Sequence, residues 1–310
     1  MLTSFRSTGE KIESCPDIVD GTWINLVAPT PEEQELVIQQ LGILPEFLRY
    51  PLDEEETSRV EKDEGQVLIT IKIPDPRHEG EYVRYETIPL GIILTHDRVV
   101  TVCLKEPPFF GTISEIKDAH RILEDRNRFV LHIFLRTANH YLRHLRLIDR
   151  LTNEYETELH RSVRNKELIK LLNLEKSLVY FNTSLKANDI VMARLQSGRY
   201  MPISEENEEI LEDAQIENQQ AIEMAKIYSD ILSGMMDAYA SVISNNLNIV
   251  MKFLTAATIV LMFPNLIASI YGMNVSLPFQ SSPHAFLFTM LFAFLLSGLV
   301  AYIFVKKRMF

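Results

Sequence analysis

The stretch IVMKFLTAATIVLMFPNLIASIYGM, residues 249–273, decides how this chain is read. It is apolar apart from Lys252 near its start and a few scattered polar side chains, and Asn274 follows it directly. A connector over 274–284 holds no Lys, Arg, Asp or Glu, and then AFLFTMLFAFLLSGLVAYIFV, residues 285–305, runs without a charge. At about 1.5 Å per residue the second stretch reaches roughly 30 Å, the thickness of a hydrocarbon core. Lipid offers no partner to a free backbone N–H or C=O, so both stretches are predicted as membrane helices. The residues before 249 are polar enough to stay in water.

Composition agrees with that division. The chain has 310 residues and a net charge of −11, with a mean hydropathy of +0.00 that averages a polar majority with a very apolar minority. Met1 to Glu10 has no apolar segment, so no signal peptide is expected. Lys306, Lys307 and Arg308 follow the second span and Lys252 opens the first, while the connector has no basic residue. The positive-inside rule then places both chain ends in the cytoplasm and the connector outside a cell membrane. Cys15 and Cys103 are far apart and support neither a disulfide framework nor a thiolate site. No GxxxxGK[ST] loop and no Ser/His/Asp or Cys/His set stands out, so the chain reads as a non-enzyme. No nucleic-acid partner is expected.

Working back toward the N-terminus, residues 1–115 read as an α/β domain. Trp23–Val27 is a short strand, and Ala28-Pro-Thr-Pro-Glu-Glu33 opens a helix with proline and acids in its first turn. Gln66–Ile73 and Glu86–Thr95 alternate as strands, and His96-Asp97 turns into a third over 98–104 to give a hairpin. Pro107-Pro108 and Gly111 close the region. Residues 116–200 read as a helical arm, a hairpin of solvated helices with basic residues slightly in excess. After the break at 198–202, residues 201–273 read as one stalk helix continuing into the first span, then the connector 274–284, the second span 285–305 and a basic tail 306–310. Such a long rod needs neighbours, so self-association is expected.

The first span carries a polar row. Stepping back by seven from Asn265 gives Thr258, Met251, Ser244, Asp237, Asp230 and Glu223; a second series runs Asn248, Thr255, Met262 and Ser269. The two alternate as the seam positions of a heptad, but they are small, polar or flexible where a coiled-coil seam would be apolar. Phe253, Ile259, Val260 and Ile267 point elsewhere. This suits helices around a wet conduit with carboxylates at its inner mouth, and small residues at a plain packing seam are the competing reading. Pro264 also frees a backbone carbonyl inside the span.

Tyr271-Gly272-Met273-Asn274 at the end of the first of two C-terminal spans, with Lys306-Lys307-Arg308 after the second, resembles the CorA family of magnesium transport proteins. The likeness extends through SNNLNIVMKFLT, residues 244–255, and over nearly the whole chain. It implies an α/β/α sandwich, a long stalk helix, two C-terminal spans and a funnel-shaped homopentamer. It also implies an outer ion-selectivity ring at Gly272, Met273 and Asn274. Asn248, Met251, Leu254, Met262 and Asn265 would line the pore with Thr255, Thr258 and Ser269, and Asp237 would stand at the inner mouth. Asp213 falls where the family has a regulatory stalk carboxylate, with Asp97 as its candidate partner. Two departures stand out: Val275–His284 lacks the acidic residue of many relatives, and Asn265 replaces a threonine.

These residue types suit Mg²⁺, which keeps its waters and is gripped through them by neutral oxygens that also let it leave. Potential-driven Mg²⁺ influx, with cytoplasmic Mg²⁺ as regulatory ion, is the expected function. A related transporter of Zn²⁺, Co²⁺ or Ni²⁺ is the nearer alternative, and a membrane-anchored sensor or scaffold the more distant one. His140 and His144, one helical turn apart, are expected to be exposed helical residues rather than metal ligands. The lack of a His/Cys cluster argues against a dehydrated zinc site.

Overall fold

A computed structural model describes residues 1–8, 11–15, 22–80, 82–111, 123, 125–161, 165–275, 278 and 282–307. The start of the helical arm expected over 116–200 falls partly outside these residues, as does Arg308. The chain divides into two compact units, Met1–Ser233 and Gly234–Phe310.

In the first unit, seven strands form one sheet: β1 (Leu2–Thr8), β2 (Lys11–Cys15), β3 (Trp23–Val27), β4 (Arg59–Asp63), β5 (Gln66–Glu79), β6 (Tyr82–Leu94) and β7 (Val99–Cys103). Their order is β2-β1-β3-β7-β6-β5-β4, with β3 and β7 parallel and every other pair antiparallel. Helix α1 (Pro31–Leu41) starts with a capping box: Glu33 N donates to the Thr30 hydroxyl, and Thr30 N donates to the Glu33 carboxylate. Gly42, at φ 63°, ends it. A short helix, α2 (Pro45–Arg49), and a 3₁₀ turn over Tyr50–Leu52 follow.

The sheet is buried on both faces, and its alternation sorts the side chains. Ile24, Leu26, Leu68, Ile93, Val100 and Val102 meet Val37, Phe47 and Leu48 of the small helices. Trp23, Ile69, Ile71, Leu90 and Ile92 meet α3 (Arg126–Arg161), α4 (Asn165–Gln196) and the first turns of α5 (Glu205–Tyr271). This is the α/β/α layering expected. The predicted arm, however, lies on the sheet within the same compact unit. Asn188 of α4 docks it: its Oδ1 accepts from Lys72 N at 2.9 Å and from the Ser58 hydroxyl at 2.8 Å, and its Nδ2 donates to Lys72 O at 2.8 Å. Tyr85 N donates to Ser177 Oγ at 3.0 Å, and the Thr87 and Ser184 hydroxyls are bonded at 2.9 Å. On the opposite face, Gly91 admits Pro51, whose Cγ would lie 2.1 Å from a Cβ placed there.

The second unit holds the remainder of α5 and helix α6 (Ala285–Lys306). Helix α5 continues through Pro264, and both helices contain stretches long and apolar enough to cross a membrane.

Candidate functional site

The second unit presents two distinct faces on its first span. Ala256 and Ile267 are 1% and 9% exposed, and Ile259, Val260, Phe263 and Pro264 are half-buried. Their spacing of three and four residues makes one helical stripe. Ile267 lies in a groove with Ala285, Phe288, Thr289 and Phe292, so this stripe packs on α6. On the other side of the same contact, Pro264, Ala268 and Gly272 share a groove with Phe286, Met290 and Ala293.

The predicted pore residues fall on the opposite side. Asn248, Thr255, Thr258, Asn265 and Ser269 are all exposed, as are Met251 at 56%, Leu254 at 64% and Met262 at 62%. The polar row therefore has no partner within the chain's own pair of spans. Thr258 donates to Leu254 O at 2.8 Å, which ties its hydroxyl hydrogen to its own helix. Asp237, Asp230 and Glu223 continue the series as exposed carboxylates.

At its far end α5 closes with Gly272 N donating to Ala268 O at 2.9 Å and Met273 N to Ile270 O at 3.2 Å. The Tyr271 hydroxyl donates to Pro278 O at 3.4 Å, a link between helix end and connector that the sequence did not signal. Gly272, Met273 and Asn274 are exposed. A Cβ on Gly272 would meet the Ala268 carbonyl at 3.4 Å, an ordinary contact, so the chain itself does not demand glycine there.

The two candidate regulatory carboxylates have different surroundings. Asp97 accepts from the Thr95 hydroxyl at 3.2 Å and lies 3.4 Å from Arg98 Nε. Asp213 is exposed on α5 and makes no hydrogen bond or ion pair among the described residues. No bond joins the two, and the described residues hold no group of three His, Cys, Asp or Glu able to bind a metal.

The histidines of α3 correct the sequence reading. His140 is 9% exposed and His144 half-buried. Their rings stand edge-on 4.5 Å apart, with His144 also against Tyr85 and Phe181 and His140 against Phe109. Burial pushes both imidazoles down to about 4, helped at His140 by His144 and at both by Arg143. Aromatic neighbours contributed by β6 and α4, remote in sequence, are what the helical periodicity could not reveal.

An α/β unit and two apolar spans, the first with an uncommitted polar face, is the build of a two-span membrane transport protein. The family model described as CorA-like Mg²⁺ transporter protein matches residues 20–308, and this chain belongs to that family. It is 32% identical over 288 residues to the cobalt/magnesium transport protein CorA of Methanocaldococcus jannaschii, covering 91% of this chain and 89% of that protein. It is 26% identical over 278 residues to the protein of the same name from Thermotoga maritima, covering 87% and 78%. The complete structure of the CorA magnesium transporter from M. jannaschii superposes with a TM-score of 0.81 at 27% identity, covering 99% of this chain and 98% of that one.

Proposed function

We propose that this chain forms a homopentameric Mg²⁺ channel of the cell membrane, with both termini cytoplasmic, that takes up the ion down the membrane potential. The observation that carries this reading is the polar row of the first span, exposed on the face turned away from α6. Polar side chains in a span are costly unless they face protein or water. Copies of the chain arranged around an axis would satisfy them with each other's surfaces and with a column of water.

Each group then has a task suited to its chemistry. Five Asn274 amides at the outer end hold a hydrated Mg²⁺ through its waters, and the bare Gly272 leaves room and backbone carbonyls beside them. Asn265, Thr258, Thr255, Ser269 and Asn248 offer neutral oxygens along the conduit, and Met251, Leu254 and Met262 form its narrow apolar part. Asp237 draws the cation out at the inner mouth. The potential supplies about 2.3 kcal/mol per charge per 100 mV, hence roughly 4–5 kcal/mol for a divalent ion, so no nucleotide is required and the chain is no enzyme.

Closure is assigned to cytoplasmic Mg²⁺ held between chains. Asp213, exposed and without an ion pair among the described residues, suits an oxygen-seeking cation, and Asp97 of a neighbouring copy would give up its contact with Arg98 to join it. Asp213→Asn is expected to weaken inhibition of flux by internal Mg²⁺; an unchanged dose response sinks the assignment. Co²⁺ is the second candidate cargo, favoured by the relatives named cobalt/magnesium transport proteins.

The test is Mg²⁺ entry into liposomes holding a Mg²⁺-sensitive dye under an inside-negative potential, with Co²⁺, Ni²⁺ and Zn²⁺ as competitors. Entry that Asn274→Ala abolishes supports channel and ring together. Flux of another metal alone replaces the cargo, and no flux of any ion overturns the channel.

A further inference from the structure

Several arginines of the first unit lie beside carboxylates. Arg59 sits near Glu56 and Glu61, Arg77 near Asp75, Glu54 and Glu86, Arg84 near Glu86, and Arg128 near Glu206. Several arginines of α3 are not so matched, Arg136 and Arg143 among them, with Arg146 and Arg150 further along the helix. Arg136 and Arg143 form no hydrogen bond or ion pair among the described residues. Positions 136, 139, 140 and 143 share one helical face, and there Arg136, Asn139, His140 and Arg143 line a cavity of about 120 Å³ closed on one side by Pro108 and Phe109. Among the described residues no carboxylate lines it.

We propose that this cavity is a binding site for a phosphate group, free or carried by a nucleotide. Arg136 and Arg143, two turns apart on one face, both line the cavity, and the guanidinium fork suits a tetrahedral oxyanion. Asn139 Nδ2 donates one hydrogen to Leu135 O at 3.0 Å and retains a second for a ligand. His140, 9% exposed, borders the cavity with its ring. The positive charge of Arg143, which disfavours protonation of this ring, is one an anion would quench. Phe109, edge-on to His140 at 6.0 Å, gives the cavity an aromatic wall beside its charges.

The experiment is calorimetric titration of the purified full chain with inorganic phosphate and, separately, with AMP, in excess NaCl at fixed ionic strength. Saturable binding of either is expected, weakened by about tenfold or more in Arg136→Gln/Arg143→Gln, as losing charge-assisted hydrogen bonds requires. Tighter binding of AMP than of phosphate assigns the Phe109 wall to a nucleobase; equal binding assigns the site to the phosphate group alone. Circular dichroism without anion checks that the double variant is folded. Independently, phosphate added to the wild-type chain should shift the His140 resonances and raise its pKa, which chloride should not do. Absence of saturable binding, binding retained by a folded double variant, or His140 resonances unmoved by phosphate would overturn the proposal.

Discussion

Buried polar groups of the sheet-facing helices and polar groups of the first span are treated in opposite ways. In the first unit Asn188, Ser177 and Ser184 spend their hydrogen bonds inside the chain, on Lys72, Tyr85 and Thr87 of strands distant in sequence. In the second unit Asn248, Asn265 and Ser269 stand exposed, without a partner among the described residues, while the apolar stripe through Ala256 and Ile267 packs on α6. The difference teaches what each set is for. Amides committed internally fix the position of a helix, whereas those left open along one face of a span are available to other copies, to water and to ions.

The sharpest way to break this contrast is to replace an asparagine in each region by leucine. Asn188→Leu leaves both backbone groups of Lys72 without this partner and is expected to cost about 3 kcal/mol, read as a lowered denaturation midpoint. Asn265→Leu is expected to leave the unfolding midpoint of the isolated chain within about 0.5 kcal/mol while lowering ion flux. A loss of stability at 265 matching that at 188 would erase the distinction.

A smaller effect follows from the histidines of α3. His132, His140 and His144 are held near 4 in the folded unit against an ordinary 6.5, chiefly by burial. Their folded values are depressed, so unfolding takes up protons, and the stability they give above about pH 6.5 is lost as pH falls toward 4. Melting temperature measured across that range is expected to drop, and His144→Leu to flatten the slope. The smallest effect belongs to Thr258→Val. Among the described residues the hydroxyl bonds to its own helix alone, so stability is expected to change by less than about 0.5 kcal/mol, with any consequence confined to conduction.

Much of the fold was legible because its signals are local. The proline and acids of residues 29–33 announced α1, the alternation of residues 66–73 and 86–95 announced β5 and β6, and two uninterrupted apolar stretches announced the spans. Strands β1 and β2 escaped because LTSFRST and KIESC carry too few apolar residues to stand out. Strand β4 escaped because its turn into β5 uses Glu64-Gly65, both at positive φ, where an Asn-Gly or Asp-Gly pair would have been conspicuous. The polar row of the span was readable at full length, since a seven-residue period survives in sequence whatever the partner. Its counterpart was not: nothing in the sequence shows what faces Asn265 or joins Asp213. The burial of His140 and His144 was likewise hidden, because Tyr85 and Phe181 reach them only after folding.

The internal bond of Thr258 reaches further than its small energy. With its hydrogen pinned to the Leu254 carbonyl, the side chain turns only lone pairs outward and behaves toward its surroundings as an ether oxygen rather than an alcohol. The waters around a cation point their hydrogens outward and those around an anion point their oxygens outward. Thr258 therefore presents an acceptor suited to the outer waters of a cation, and that polarity is set by a hydrogen bond that never touches the ion.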